Sequence, residues 1–173
     1  MKNTASHHIG RLKLSPALRV YMAITLLLAS LPLIAAPFTD NGDGTVTDQK
    51  TNLVWQKCTK DQATQPTCTG LALQATWVDA LAYCNSLTLA GKTAGQWRLP
   101  SVNELNSIVD ESVVNPSINA TFFPATIVSN YYWTSTTKNA ALGTSAWAIT
   151  FTNGYVAANA KTGLFFVRCV AGP

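Results

Sequence analysis

The sequence has no histidine after His8 and no acidic residue before Asp40. From residue 37 onward it therefore cannot build a Ser–His or Cys–His nucleophile pair, or any metal site that needs imidazole. Charge is scarce, with Asp, Glu, Lys and Arg making up only 12% of the chain. Of the 12 basic residues, Lys2, Arg11, Lys13 and Arg19 precede the first apolar run, which leaves 8 to face the 8 acidic ones. Residues 37–173 thus carry no net formal charge, and bulk charge gives no footing for a nucleic-acid or polyanion partner. No pair of cysteines has C-x-x-C spacing, and without histidine a structural zinc site is not expected. The apolar run Val20 to Ile34 is shorter than the about 20 residues that a bilayer span requires.

What is present at the N-terminus has the parts of a secretory signal: a basic start, a short apolar stretch, then Ala35-Ala36 before Pro37. Pro32 favours a break before the cleavage region over a continuing helix. Residues 1–36 are read as a secretion signal peptide and 37–173 as a single exported domain, periplasmic or extracellular. The rival reading is an uncleaved anchor, since Ile34 is not the usual small residue at that distance from the cut. No cysteine lies near the cleavage region, so a lipid anchor is not expected.

All four cysteines, Cys58, Cys68, Cys84 and Cys169, lie after the leader. An even count in an exported chain reads as two disulfides, of which several pairings are possible. The expected one is Cys58–Cys68, closing a short polar loop around Pro66, with Cys84–Cys169 tying a first helix to the last strand.

Phe38 to Gln56 reads as a hairpin, with Asp40-Asn41-Gly42-Asp43-Gly44 as its turn. Aligned as an EF-hand loop, this turn lacks both end carboxylates. A different calcium site using Asp40, Asp43 and Asp48 is the candidate metal reading, and a plain turn is its competitor. Thr76 to Leu89 has helical apolar spacing through Trp77, Ala80, Leu81, Cys84 and Leu87, with Thr76 as N-cap. In Trp97-Arg98-Leu99-Pro100-Ser101-Val102-Asn103-Glu104-Leu105, Ser101 and Glu104 form a capping box that starts a second helix at Val102. Val102, Leu105, Ile108 and Val109 are its buried stripe. The carboxylates Glu104, Asp110 and Glu111 admit a glycosidase reading, but helix capping and solvation account for them. Arg98 and Arg168, set among apolar residues, are expected to be structural and bonded to acidic or carbonyl groups.

Val113 to Asn130 reads as a long loop with Phe122-Phe123 plugging the core. The C-terminal part reads as an antiparallel meander: Tyr131 to Thr134, Ala146 to Phe151, an Asn153-Gly154 turn, Tyr155 to Ala160, then Leu164 to Val170 closing the sheet. A polar loop from Ser135 to Ser145, carrying Lys138 and Asn139, sits where binding functions usually lie. The expected fold class is α+β, with an N-terminal hairpin, two helices on a meander and two disulfides.

This order of motifs resembles the bacterial Lcl C-terminal domain family. The resemblance rests on Phe38 to Asp48, Thr51-Asn52-Leu53-Val54-Trp55-Gln56, Trp97 to Leu105, Tyr132-Trp133-Thr134-Ser135 and Val167-Arg168-Cys169-Val170. Asn52 stands where the family usually has Gly, and is read as another residue tolerant of positive φ. The resemblance implies a C-type-lectin-like fold, related in shape to formylglycine-generating-enzyme domains, with a helix-to-last-strand disulfide. It also implies a surface or secreted location and, in the collagen-like adhesin that names the family, binding of sulfated polysaccharides. No Gly-X-Y region accompanies the domain here.

The functional expectation is a non-catalytic binding module for a glycan or a surface protein, adhesin-like, with no nucleic-acid partner and no membrane contact after signal cleavage. Its ligand residues are expected among Tyr132, Lys138, Asn139, Trp147 and Tyr155, because sugars stack on aromatic rings. Trp55, Trp77 and Trp97 are expected in the core. The alternative is a structural or assembly subunit of the cell envelope, and behind it an enzyme, which would need reactive thiols for formylglycine-type oxidation.

Overall fold

The computed structural model describes residues 37–62, 67–138 and 143–172. The predicted leader, Pro66 and Asn139 lie outside them. The chain begins with β1 (Phe38–Asp40), β2 (Thr45–Asp48) and β3 (Val54–Gln56), each antiparallel to the next. The first turn is set by its own side chains. Asp40 Oδ1 accepts from Gly42 N–H, and Asp43 Oδ1 accepts from the backbone and hydroxyl of Thr45. In the second turn Asp48 accepts from Lys50 N–H and the Thr51 hydroxyl, and Asn52 adopts φ 58°. That is the left-handed conformation the sequence assigned to it.

The first helix, α1, spans Trp77–Ser86, with the Thr76 side chain accepting from Asp79 N–H. It ends three residues before the expected Leu89. Leu89 and Lys92 instead exchange backbone hydrogen bonds around Ala90 and Gly91, both at positive φ. Helical periodicity ran past the end because this tight turn outcompetes another turn of helix. After β4 (Trp97–Arg98) comes α2, Val102–Ser107. Both halves of its capping box form: Ser101 Oγ accepts from Glu104 N–H at 3.2 Å, and Glu104 Oε2 from Ser101 N–H at 2.7 Å. Leu105 and Ile108 are buried, while Val102 and Val109 pack at the margin of the core.

Two antiparallel sheets result. The C-terminal hairpins form β5 (Tyr131–Thr137), β6 (Ser145–Thr150) and β7 (Val156–Ala160), in the order β5-β6-β7. The last segment departs from expectation. Only Val170–Ala171 is a strand, β8, and it joins the N-terminal sheet in the order β1-β2-β3-β8-β4. Upstream, Phe166 exchanges bonds with the backbone of Tyr131 and Trp133, and Val167 O accepts from Lys60 N–H. Phe166, Val167, Arg168, Cys169 and Val170 are all buried. Enclosed on every side, the segment threads between the two sheets where an edge strand would keep one face in water.

Consecutive residues of β5 point to opposite faces. Tyr132 and Ile149 join Leu105, Ile108, Phe123, Phe151 and Phe166 in one core, while Trp133, Ala146 and Ala148 join Ala80, Cys84, Trp97, Leu99 and Cys169 in the other. Both disulfides form as expected, Cys58–Cys68 and Cys84–Cys169. Phe123 plugs the first core from the long loop, its ring edge-on to Phe38.

Candidate functional site

The three aspartates proposed for calcium do not converge. Asp40 accepts from Lys57 Nζ at 2.6 Å, and this bond, with that from Gly42, holds its carboxyl below the usual range. Asp43 is committed to Thr45, and Asp48, nearly buried, to the separate turn at Lys50 and Thr51. Among the described residues no group of three or more His, Cys, Asp or Glu side chains is placed to hold a metal ion. The calcium reading is corrected: these carboxylates fold two turns.

Two of the three carboxylates of the glycosidase reading, Glu104 and Asp110, are also committed. Arg98 donates to both oxygens of Glu104 at 2.7 Å and to Gly172 O at 3.1 Å, as its structural role requires. The guanidinium bonds hold Glu104 below the ordinary carboxylate range. Asp110 accepts from Ser112 within its own turn. Asp110 and Glu111 border an open cleft of about 600 Å³ whose floor is Phe38, Ile108 and Val109, and Glu104 is not part of it.

Arg168 overturns the expectation of an acidic or carbonyl partner. It is 1% exposed, and Nη2 donates to the Thr126 hydroxyl at 3.0 Å. Its guanidinium lies 5.0 Å from the centroid of Phe123, 5.6 Å from Tyr132 and 5.9 Å from Phe151. Nε and Nη1 have no hydrogen-bond partner among the described residues. Burial pulls its pKa below the ordinary value. Three ring faces take the place of a counter-ion.

The expected ligand residues separate into three places. Tyr132 is fully buried, its hydroxyl bonded to Thr59 and accepting from Ile127 N–H, and burial raises its pKa. It is core, because β5 is covered on both faces. Lys138 and Trp147 do meet, with Nζ 5.8 Å from the indole centroid. Trp77, expected in the core, is only half-buried and carries Lys161 Nζ 3.9 Å from its own ring centroid. Asn139 lies outside the described residues. Tyr155 is 61% exposed and stands at the opposite end of the hairpin, beyond the Asn153-Gly154 turn.

There it borders a shallow groove of about 310 Å³ with Ser129, Asn130, Tyr131, Thr152 and Asn153. These side chains are uncharged and carry a hydroxyl or an amide, and Val128 and Thr150 complete the lining. Asn130 Oδ1 accepts from Tyr131 N–H, Asn153 Oδ1 accepts from Tyr155 N–H, and the Thr152 hydroxyl donates to Val128 O. These local bonds fix the rim, of which Asn153 and Tyr155 are exposed while Tyr131 packs on Phe165. Residue-by-residue reading missed this convergence. The signal was the ladder itself: Tyr131 pairs with Thr150, and Thr150 N–H donates to Tyr155 O. A two-residue turn at Asn153-Gly154 would pair Thr152 with Tyr155; instead four residues, 151–154, separate Thr150 from Tyr155, and Gly154 N–H donates to Thr150 O.

The fold is thus that of a disulfide-tied α+β domain with a hydroxyl- and amide-rimmed groove at one hairpin end. The family model of the Lcl C-terminal domain matches residues 44–171, and the chain belongs to that family. No curated protein matches the chain.

Proposed function

We propose that the protein is an exported, non-catalytic binding module that recognises a glycan in the groove between Tyr131 and Tyr155. The observation that carries this is the exposed Tyr155 ring at the border of a groove lined largely by uncharged hydroxyl and amide side chains. A sugar ring presents axial C–H groups to an aromatic face and hydroxyls to amides, and this groove offers both. The family membership and the adhesin resemblance point the same way. Supporting the non-catalytic part, all four cysteines are in disulfides and Glu104 is clamped by Arg98. Supporting export are those two disulfides, with no described helix long and apolar enough to cross a membrane.

The test is a glycan array that includes neutral and sulfated polysaccharides, followed by calorimetry with the best hit. Tyr155→Ala is expected to weaken binding about tenfold, the equivalent of one lost stacking contact, with the unfolding midpoint unchanged because the ring is exposed. Chelator is expected to change nothing. A blank array from folded protein, or a Tyr155→Ala variant that binds as the wild type does, rules the reading out.

A further inference from the structure

Residues 37–173 hold eight cationic side chains, 12 less the four of the leader, and each has a place in the structure. Lys57 is paired with Asp40, Lys60 with Asp61 and Arg98 with Glu104. Lys50 lines the other cleft, among Asp48, Asp110 and Glu111. Lys92 belongs to the turn after α1, which contributes nothing to the Tyr131–Tyr155 groove. Arg168 is enclosed by Phe123, Tyr132 and Phe151. Lys138 lies by Trp147, and Lys161 sits on Trp77 and donates to the Thr137 hydroxyl at 3.1 Å.

The last two are the cations of the three-stranded sheet, and they stand at its far end from the groove. Lys138 N–H donates to Ser145 O and Lys161 N–H to Thr144 O, whereas the groove opens at Thr150 and Tyr155. From Ser145 to Thr150, strand steps of about 3.3 Å set the two ends about 17 Å apart. That is about twice the screening length of about 8 Å at physiological salt. On the groove's own side the charge is negative. Asn115 N–H and the Ser117 hydroxyl both donate to Thr152 O, and Val109 packs against Gly154, so residues 109–117 support the hairpin loop. This stretch carries Asp110 and Glu111 and no cation.

We propose, resting on the glycan reading of this groove, that its ligand is an uncharged sugar chain and that the groove selects against sulfated and carboxylated glycans. Val128 apart, the lining side chains are hydroxyls and amides. Such groups both give and take hydrogen bonds, and so match the hydroxyls of a neutral sugar. A sulfate or carboxylate entering the groove gives up water and meets no cation in return, with Asp110 and Glu111 on the near side. At about 310 Å³ the groove lies at the small end of ligand sites, which run from about 300 to 1,000 Å³, and suits a short stretch of a chain.

The experiment uses protein purified from cells expressing the full 173-residue chain. Its probes are matched neutral and sulfated forms of the same glycans, dextran, galactan and N-acetyllactosamine among them, on an array and then in calorimetry. The neutral form is expected to bind about tenfold more tightly than its sulfated counterpart, with an affinity that salt does not change. Ser129→Lys, which sets a cation on the exposed rim, is expected to narrow that preference about fivefold. Should this variant fail to fold, the wild-type pairs decide alone. A sulfated form that binds as tightly as its neutral one, and loses that binding in Tyr155→Ala, overturns this proposal and leaves the glycan reading standing. So does a preference that folded Ser129→Lys leaves unmoved, which places the discrimination elsewhere. A blank on every pair, or sulfated binding alone that survives Tyr155→Ala, removes glycan from the groove and overturns both.

Discussion

Glu104 caps α2 through Ser101 N–H and takes two bonds from Arg98, so one carboxylate fastens a helix start to the β4 strand. Its pKa is lowered, so its contribution is complete above the unfolded value of about 4.3 and disappears as pH falls through the folded one. Glu104→Gln is expected to cost about 1 kcal/mol at neutral pH, modest because Arg98 is partly exposed. The gap to wild type should shrink toward acid, which urea unfolding at neutral and acid pH will read. A gap that stays constant with pH would show that the charge does not matter. Arg168 is the opposite case, a buried cation with aromatic faces and one hydroxyl for company. Arg168→Met is expected to leave stability within about 1 kcal/mol of wild type, whereas Arg168→Ala, which opens a cavity, should cost more than about 2 kcal/mol. Urea midpoints of the two variants separate a packing role from a charge role. The Arg98 pairing was legible because its acceptor lies close in sequence within a capping box. The surroundings of Arg168 were not, since Phe123, Tyr132 and Phe151 come together only through tertiary packing.

Elements were legible where local chemistry decides them. The capping box at Ser101 and the N-cap at Thr76 are short-range signals, and both are in place, whereas the Asn153-Gly154 hairpin closes with a four-residue loop, 151–154, where two residues were expected. The end of α1 and the path of the last segment were not legible. The first depends on the Ala90-Gly91 turn, and the second on which sheet has room for a fully buried strand. The loop at Asn153-Gly154 also packs on Val109, just past the end of α2. A Cβ at Gly154 would lie 2.7 Å from Val109 Cγ1, at φ +75°. Gly154→Ala is therefore expected to destabilise by about 1–3 kcal/mol and to weaken glycan binding by displacing Tyr155. Thermal unfolding and calorimetry on the same variant check both halves. Unchanged stability would mean that the loop does not pack on Val109 as described.

For the molecule as a whole, the Cys84–Cys169 bond joins α1 to the segment that enters β8 at a sequence separation of 85, against 10 for Cys58–Cys68. Loop-closure entropy predicts that replacing the long-range pair by alanines costs about 4–5 kcal/mol, and the short pair less. Denaturant unfolding of the two double variants should rank them in that order. The reverse ranking would place the stability of the fold in the polar loop. At this scale the α+β class, both disulfides and the family were legible, because they rest on composition, cysteine positions and long motifs. The groove was only half legible. Tyr155 was singled out, but grouped with Lys138 and Trp147 at the other end of its hairpin, because sequence proximity says nothing about which end of a strand a side chain serves.

The central claim is that the Tyr131–Tyr155 groove binds the ligand, and amide chemical-shift mapping with the best array hit tests it most directly. Shifts concentrated at Asn130, Tyr131, Thr152, Asn153 and Tyr155 are the predicted result. Shifts concentrated at Lys138 and Trp147, or in the cleft at Phe38 and Ile108, would contradict it.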